Sequence, residues 1–200
     1  STTTSRQTGA RGHETSAVSW LPARATVSPL PIRSRHVSNK KLEFIRLGFR
    51  KRGASTRLKL RWDMSPKSCE IVSKLLPCGG QAFHAKHASN EVYALVPLPD
   101  ELTPGEWATV YPGAGDMLFI PIALGPPLPA QAKSVISDRG VLDLAYFYDR
   151  GNSLIGPYGV NFGNIFATAT SIEEMEAFAV VCNDVWFRGA DGETMYVEAA

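Results

Sequence analysis

Between Arg57 and Val197 the hydrophobic and polar positions change rhythm in a regular way. Leu58, Leu60 and Trp62 alternate with Arg57, Lys59 and Arg61, the period of a strand with one buried and one wet face. A helix is predicted next, with Ser65 as N-cap, Pro66 in its first turn and Cys69, Val72 and Leu76 at helical spacing until Gly79-Gly80. Gln81 to Ala88 and Glu91 to Val96 read as paired strands around Ser89-Asn90. Met117 to Ile122 and Val141 to Tyr148 are predicted strands, separated by the loop-forming Gly125-Pro126-Pro127-Leu128-Pro129. A glycine-rich loop over 151–163 leads into a strand over 164–170. Ser171 with Glu174 then forms a capping box, opening a helix whose Ile172, Met175, Phe178, Cys182 and Val185 line one side. Met195 to Val197 is a short final strand.

The count is seven or eight short strands with two helices near the ends of the domain. Strands separated by Gly- and Pro-rich turns favour a mainly β fold, an antiparallel closed barrel, over a doubly wound sheet. The interior of a small barrel is filled by side chains, so a ligand is expected on an outer face or at a mouth formed by long loops.

Charge divides the chain. Residues 1–56 hold eleven Lys and Arg against two acids, Glu14 and Glu43, leaving ten against seventeen in the remainder. The first segment is rich in Ser, Thr and Arg and reads as a disordered or non-functional leader, with 57–200 as the folded domain. A transit peptide and a basic arm for nucleic acid or membrane are the alternatives, but no amphipathic helix or regular interleaving of aromatic and basic residues supports them. No apolar run reaches the roughly 20 residues of a bilayer span, so neither nucleic acid nor membrane is an expected partner. Cys69, Cys78 and Cys182 form no close-spaced pair, which argues against a disulfide framework and against a Cys-x-x-Cys zinc site. A reducing, cytoplasmic setting is expected.

Candidate chemistry concentrates in His84-Ala85-Lys86-His87-Ala88-Ser89-Asn90-Glu91, which puts an imidazole, an amine and a carboxylate into one hairpin. Glu91 starts an otherwise apolar strand, so partial burial there would raise its pKa and suit it to act as a base. His84 and Lys86 share a strand face, as a proton-transfer group and a carboxylate clamp or as a half-buried histidine and a solvated lysine. Arg61 admits the same two readings. Tyr148, at a strand end facing the loop that carries Tyr158, is placed to reach a ligand. Asn164 either binds a ligand or satisfies a bulge backbone. His84 and His87 project to opposite strand faces with no third ligand nearby, so no metal site is expected. A nucleophile elbow and a phosphate-binding glycine loop are both missing from the sequence.

Four collinear blocks carry a family resemblance: Leu60-Arg61-Trp62-Asp63-Met64-Ser65-Pro66-Lys67-Ser68-Cys69, Gly80-Gln81-Ala82-Phe83-His84-Ala85-Lys86, Tyr111-Pro112-Gly113-Ala114-Gly115-Asp116-Met117-Leu118-Phe119 and Asn161-Phe162-Gly163-Asn164-Ile165-Phe166-Ala167. Over Arg57 to Trp186 the chain resembles the DUF3830 family of cyclophilin-like proteins. The resemblance implies a closed barrel of about eight strands with two capping helices. It does not imply prolyl isomerase activity, because the Arg, Phe and Gln arrangement of that catalytic strand is missing here. The cucumopine synthases, which join histidine to 2-oxoglutarate by a Pictet–Spengler condensation, look like members of the same group. What the resemblance implies is therefore an opine-forming enzyme without metal or organic cofactor, acting on a small acidic substrate. Glu91, His84 and Tyr148 would be catalytic, and Lys86, Arg61, Tyr158 and Asn164 would bind substrate. A non-catalytic binding protein for an acidic metabolite is the alternative. Exposed apolar strands make a homo-oligomer the expected assembly.

Overall fold

The computed structural model describes residues 41–88, 90–101, 103–123, 133–156 and 159–200. The first half comprises β1 (Phe44–Phe49), β2 (Ser55–Leu60), α1 (Pro66–Leu75), β3 (Cys78–Gln81), β4 (Phe83–His84), β5 (Glu91–Pro97) and β6 (Ala108–Thr109). The second comprises β7 (Asp116–Ala123), β8 (Gly140–Phe147), β9 (Ile155–Gly156), β10 (Gly159–Val160), β11 (Gly163–Ala169), α2 (Ile172–Arg188) and β12 (Thr194–Ala199). Ten strands form one antiparallel sheet in the order β3-β12-β1-β2-β11-β7-β8-β5-β4, with β6 set against β11. β9 and β10 form a separate hairpin.

The fold is mainly β with two helices. Of the strands not expected, β6, β9 and β10 are two-residue pieces too short to leave a periodic signature, and the strand expected over 81–88 is reduced to the end of β3 and the two-residue β4. The hydrogen-bonded order is an open path with β3 and β4 at its two ends, and Ala82 alone separates those ends along the chain.

The domain starts earlier than the charge pattern suggests. β1 lies within the stretch read as leader, yet it is a central strand paired with both β12 and β2. Its Ile45, Leu47 and Phe49 are fully buried while Arg46 between them faces out. The strand period is present there, masked by the surrounding basic residues. Residues 1–40 of the leader lie outside the described residues.

Strand alternation builds two apolar layers. One face sends Val92, Ala94 and Val96 of β5 and Leu142, Leu144 and Tyr146 of β8 into the main core, which α1 closes with Cys69 and Val72 and α2 with Phe178, Cys182 and Val185. The opposite face carries Leu118, Ile120, Ala145, Phe147 and Ile165 in a second cluster under the 150s loop. Every residue of β8 is therefore buried. Strands covered on both faces lose the in-out alternation and read as continuous apolar runs.

Both helices start where expected, but their caps differ from expectation. Ser65 occupies the N-cap position of α1 without capping it, because its hydroxyl donates to the carbonyls of Glu106 and Ile165. The Glu106 carboxylate does the capping instead, accepting from the amides of Lys67 at 2.9 Å and Ser68 at 2.8 Å and from the Ser68 hydroxyl at 2.9 Å. An anion at this end also faces the positive end of the helix dipole. In α2, Ser171 Oγ accepts from the Glu174 amide as the capping box requires. The Glu174 carboxylate, however, accepts from the Arg57 amide and so ties the helix to β2.

Candidate functional site

The face of β5, β7 and β8 turned away from the main core floors a hollow of about 710 Å³. Phe83 and Tyr93 are paired across β4 and β5, with their rings 5.3 Å apart. Ile120 and Ile122 from β7, Leu154 from the segment after β8 and Ile155 of β9 complete the apolar lining. Lys86 and His87 stand exposed at the border, from the connection between β4 and β5.

Two carboxyl groups interrupt this surface. Glu91 opens β5 and Asp143 sits mid-strand in β8, opposite Leu95. Both are buried, at 4% and 9% exposure. Burial holds the Glu91 carboxyl far above the ordinary glutamate range, and the charge of Asp143 adds to the effect. Burial likewise pushes Asp143 up to about 8. Asp143 Oδ1 has no hydrogen-bond partner among the described residues. Tyr93 lies between the two along the same face, its phenol pushed up by burial and by both carboxyls. At neutral pH these groups are carboxylic acids to a large extent, able to donate a proton as well as accept one.

Of the residues proposed from the sequence, Glu91, Lys86 and His84 border the hollow. The His84 side chain is nevertheless committed elsewhere. Its strand partner is Val92, a main-core residue, so alternation turns the ring to the face opposite Glu91. There Nε2 lies 2.8 Å from the Tyr148 hydroxyl and the ring packs on Trp186, with centroids 4.8 Å apart. Nδ1 lies 2.8 Å from the Ala85 carbonyl, which can only accept, so Nδ1 carries the proton and Nε2 accepts from Tyr148. Burial lowers the His84 pKa against the opposing pull of that carbonyl, which keeps the ring neutral. Tyr148 is itself buried in the main core.

Arg61 and Asn164 do not reach the hollow. The Arg61 guanidinium makes a two-pronged pair with Asp63, at 3.1 and 3.0 Å, and lies over the Trp107 ring. Asn164 is fully engaged: Nδ2 donates to Ser68 Oγ, Thr103 Oγ1 and the Pro104 carbonyl, and Oδ1 accepts from the Glu106 amide. It holds the loop that caps α1, the structural one of its two readings. Tyr158 lies outside the described residues.

Asp143 was missed. Its signal is a lone ionisable residue inside Val141-Leu142-Asp143-Leu144-Ala145-Tyr146-Phe147, a run that must be buried on both sides. Among the described residues, no helix is long and apolar enough to cross a membrane.

No curated protein matches the chain. Among solved structures, that of McbB in complex with tryptophan is similar in fold, with a TM-score of 0.52 at 15% identity over 77% of this chain. The match spans 44% of the McbB chain. The profile of DUF3830, described as a protein of unknown function, matches residues 47–197, and the chain belongs to that family.

Proposed function

We propose that this chain is a cofactor-independent condensing enzyme that joins an amino acid to a keto acid, with Glu91 moving the protons. The observation that carries this reading is the buried, high-pKa Glu91 carboxyl on the floor of an aromatic-walled hollow with a lysine at its border. The tryptophan held by McbB, a protein of similar fold, supports an aromatic amino acid as one substrate. Histidine with 2-oxoglutarate is the pair that the sequence resemblance favours.

In this scheme the substrate amine adds to the keto carbon, giving a carbinolamine. Glu91 protonates its hydroxyl, which leaves as water, and the ring carbon of the amino acid attacks the resulting iminium. The glutamate, now a carboxylate, takes the ring proton and is returned to its acid form as aromaticity is restored. Lys86 pairs with a keto-acid carboxylate at the rim. His84 and Tyr148 satisfy each other and keep β4 in place beside the hollow.

The same reading takes the sheet as curled into the closed barrel of the cyclophilin-like group. A single segment, β3-Ala82-β4, borders β12 at one end and β5 at the other, which is what closure requires. A homo-oligomer is compatible with Val180 and Phe187, exposed on α2 at 71% and 76%.

The test is incubation of the purified chain with 2-oxoglutarate and either histidine or tryptophan, followed by mass analysis. A product equal to the sum of the substrates less one water, formed by the wild type and lost in Glu91→Gln, is expected. Saturable binding without product would leave the non-catalytic alternative.

A further inference from the structure

The reaction scheme uses Glu91 and leaves Asp143 without a role, although a buried carboxyl lacking a partner is costly to keep. Asp143 shares the floor of the hollow with Glu91, is nine-tenths buried, and carries an oxygen unpartnered among the described residues. No lysine or arginine is paired with it among those residues. Tyr93 and Glu91 are the titratable neighbours on β5, and β7 presents the non-titratable Ile120, Pro121, Ile122 and Ala123. Lys86 and His87 stand at the border, and Ser153 and Asn161 face the hollow from the 150s loop.

The ladder puts the two carboxyls on one face. Asp143 is opposite Leu95 and Glu91 lies four residues before Leu95 on the same face, without a bulge between. Tyr93 lies between the two carboxyls on that face, so one elongated ligand with a hydrogen-bond donor at each end can answer both. An aromatic amino acid laid along Tyr93 carries such a pair, its ammonium group and its ring N–H.

We propose that Asp143 is a specificity-determining residue that accepts the ring N–H of an aromatic amino acid or amine whose amino group lies at Glu91. The inference rests on the amine placement in the scheme above and adds the residue that reads the ring, so that imidazole- and indole-bearing amines are preferred to aromatic rings without N–H. An acceptor on the ring nitrogen also pushes electron density toward the ring carbon that must attack.

Binding of histidine, tryptophan, histamine and tryptamine to the full chain by calorimetry tests this, with 3-benzothienylalanine as the tryptophan isostere whose sulfur replaces the N–H. Tryptophan or histidine is expected to bind the wild type, and the isostere to bind about 10- to 100-fold more weakly than tryptophan. In Asp143→Leu the preference for tryptophan should vanish while thermal stability is kept. Equal binding of tryptophan and its isostere to the wild type overturns the proposal. So does undiminished selectivity in Asp143→Leu, or no binding of any of the four amines at millimolar concentration. The isostere comparison needs no variant and stands even if Asp143→Leu misfolds. Product formation unaffected by Asp143→Leu would refute the role of Asp143 and leave the enzyme reading intact. Ring N–H selectivity without any product would do the reverse.

Discussion

Asp143→Asn changes the slope of stability against pH, and the structure sets both the sign and the size of the effect. The carboxyl titrates near its ordinary value of 3.8 in the unfolded chain and near 8 in the folded protein, where burial disfavours its charge. Between those values the native state binds the extra proton, so the stabilisation complete below the lower pKa is lost as pH rises toward the upper one. Each unit of the gap is worth about 1.4 kcal/mol. With half the gap surviving access of water through the hollow, the loss between pH 4 and 8 is about 3 kcal/mol. For a folded unit of this size that is roughly 9 °C in Tm. Glu91 is raised in the same direction and partly by Asp143, so removing the aspartate also flattens its neighbour's contribution. His84, whose pKa is lowered by burial, acts oppositely as pH falls below the ordinary histidine range, but it does so in wild type and variant alike and cancels in the difference. Thermal melts by circular dichroism from pH 5 to 8 are expected to fall steeply for the wild type and to flatten in Asp143→Asn. Flattening should be most complete when Glu91→Gln is combined with it. Parallel curves for wild type and Asp143→Asn would refute the assignment of buried, proton-retaining carboxyls.

Two structural predictions accompany it. Glu106→Ala removes the cap of α1 and orphans the amides of Lys67 and Ser68, which should cost about 1–2 kcal/mol in urea unfolding. Ser171→Ala provides the comparison, because it removes a capping hydroxyl at α2 in the ordinary way. Deletion of residues 1–56 removes β1 with Ile45, Leu47 and Phe49, whose burial contributes roughly 6 kcal/mol. The truncated chain is therefore expected to lack a cooperative melt; a wild-type transition in it would show that β1 is dispensable.

The elements best read from sequence are those in which one physical signal dominates. Periodicity places α1 and α2, and the Ser171-Glu174 pattern marks the start of the second. β5, β7 and β8 fall within about two residues of their expected limits because Pro and Gly bound them. β1 escaped because basic neighbours dominate its composition while only three alternating side chains carry its burial. The cap of α1 could not be read at all. Glu106 is 38 or more residues from the amides it serves, and nothing local distinguishes it from any exposed glutamate.

The site shows the same limit at the level of one strand. The placement of His84, Lys86 and Glu91 within eight residues suggested convergence, but a strand side chain belongs to a face before it belongs to a neighbourhood. His84 pairs with Val92 and so shares the core face with Tyr148, whereas Phe83, one residue away, stands over the hollow beside Tyr93. The register that decides this is set by β4 and β5 together, and a two-residue strand carries too little pattern to announce it. Asp143 is the converse case: it lies 52 residues from Glu91 in sequence and becomes its electrostatic partner only because β8 pairs along β5 without a bulge. Its meaning depends on β8 being covered on both faces. On a strand with one wet face an aspartate is ordinary surface. On a doubly covered strand the same residue must find a donor or keep its proton, and a donor brought by a ligand answers that demand only where the second face opens into a hollow.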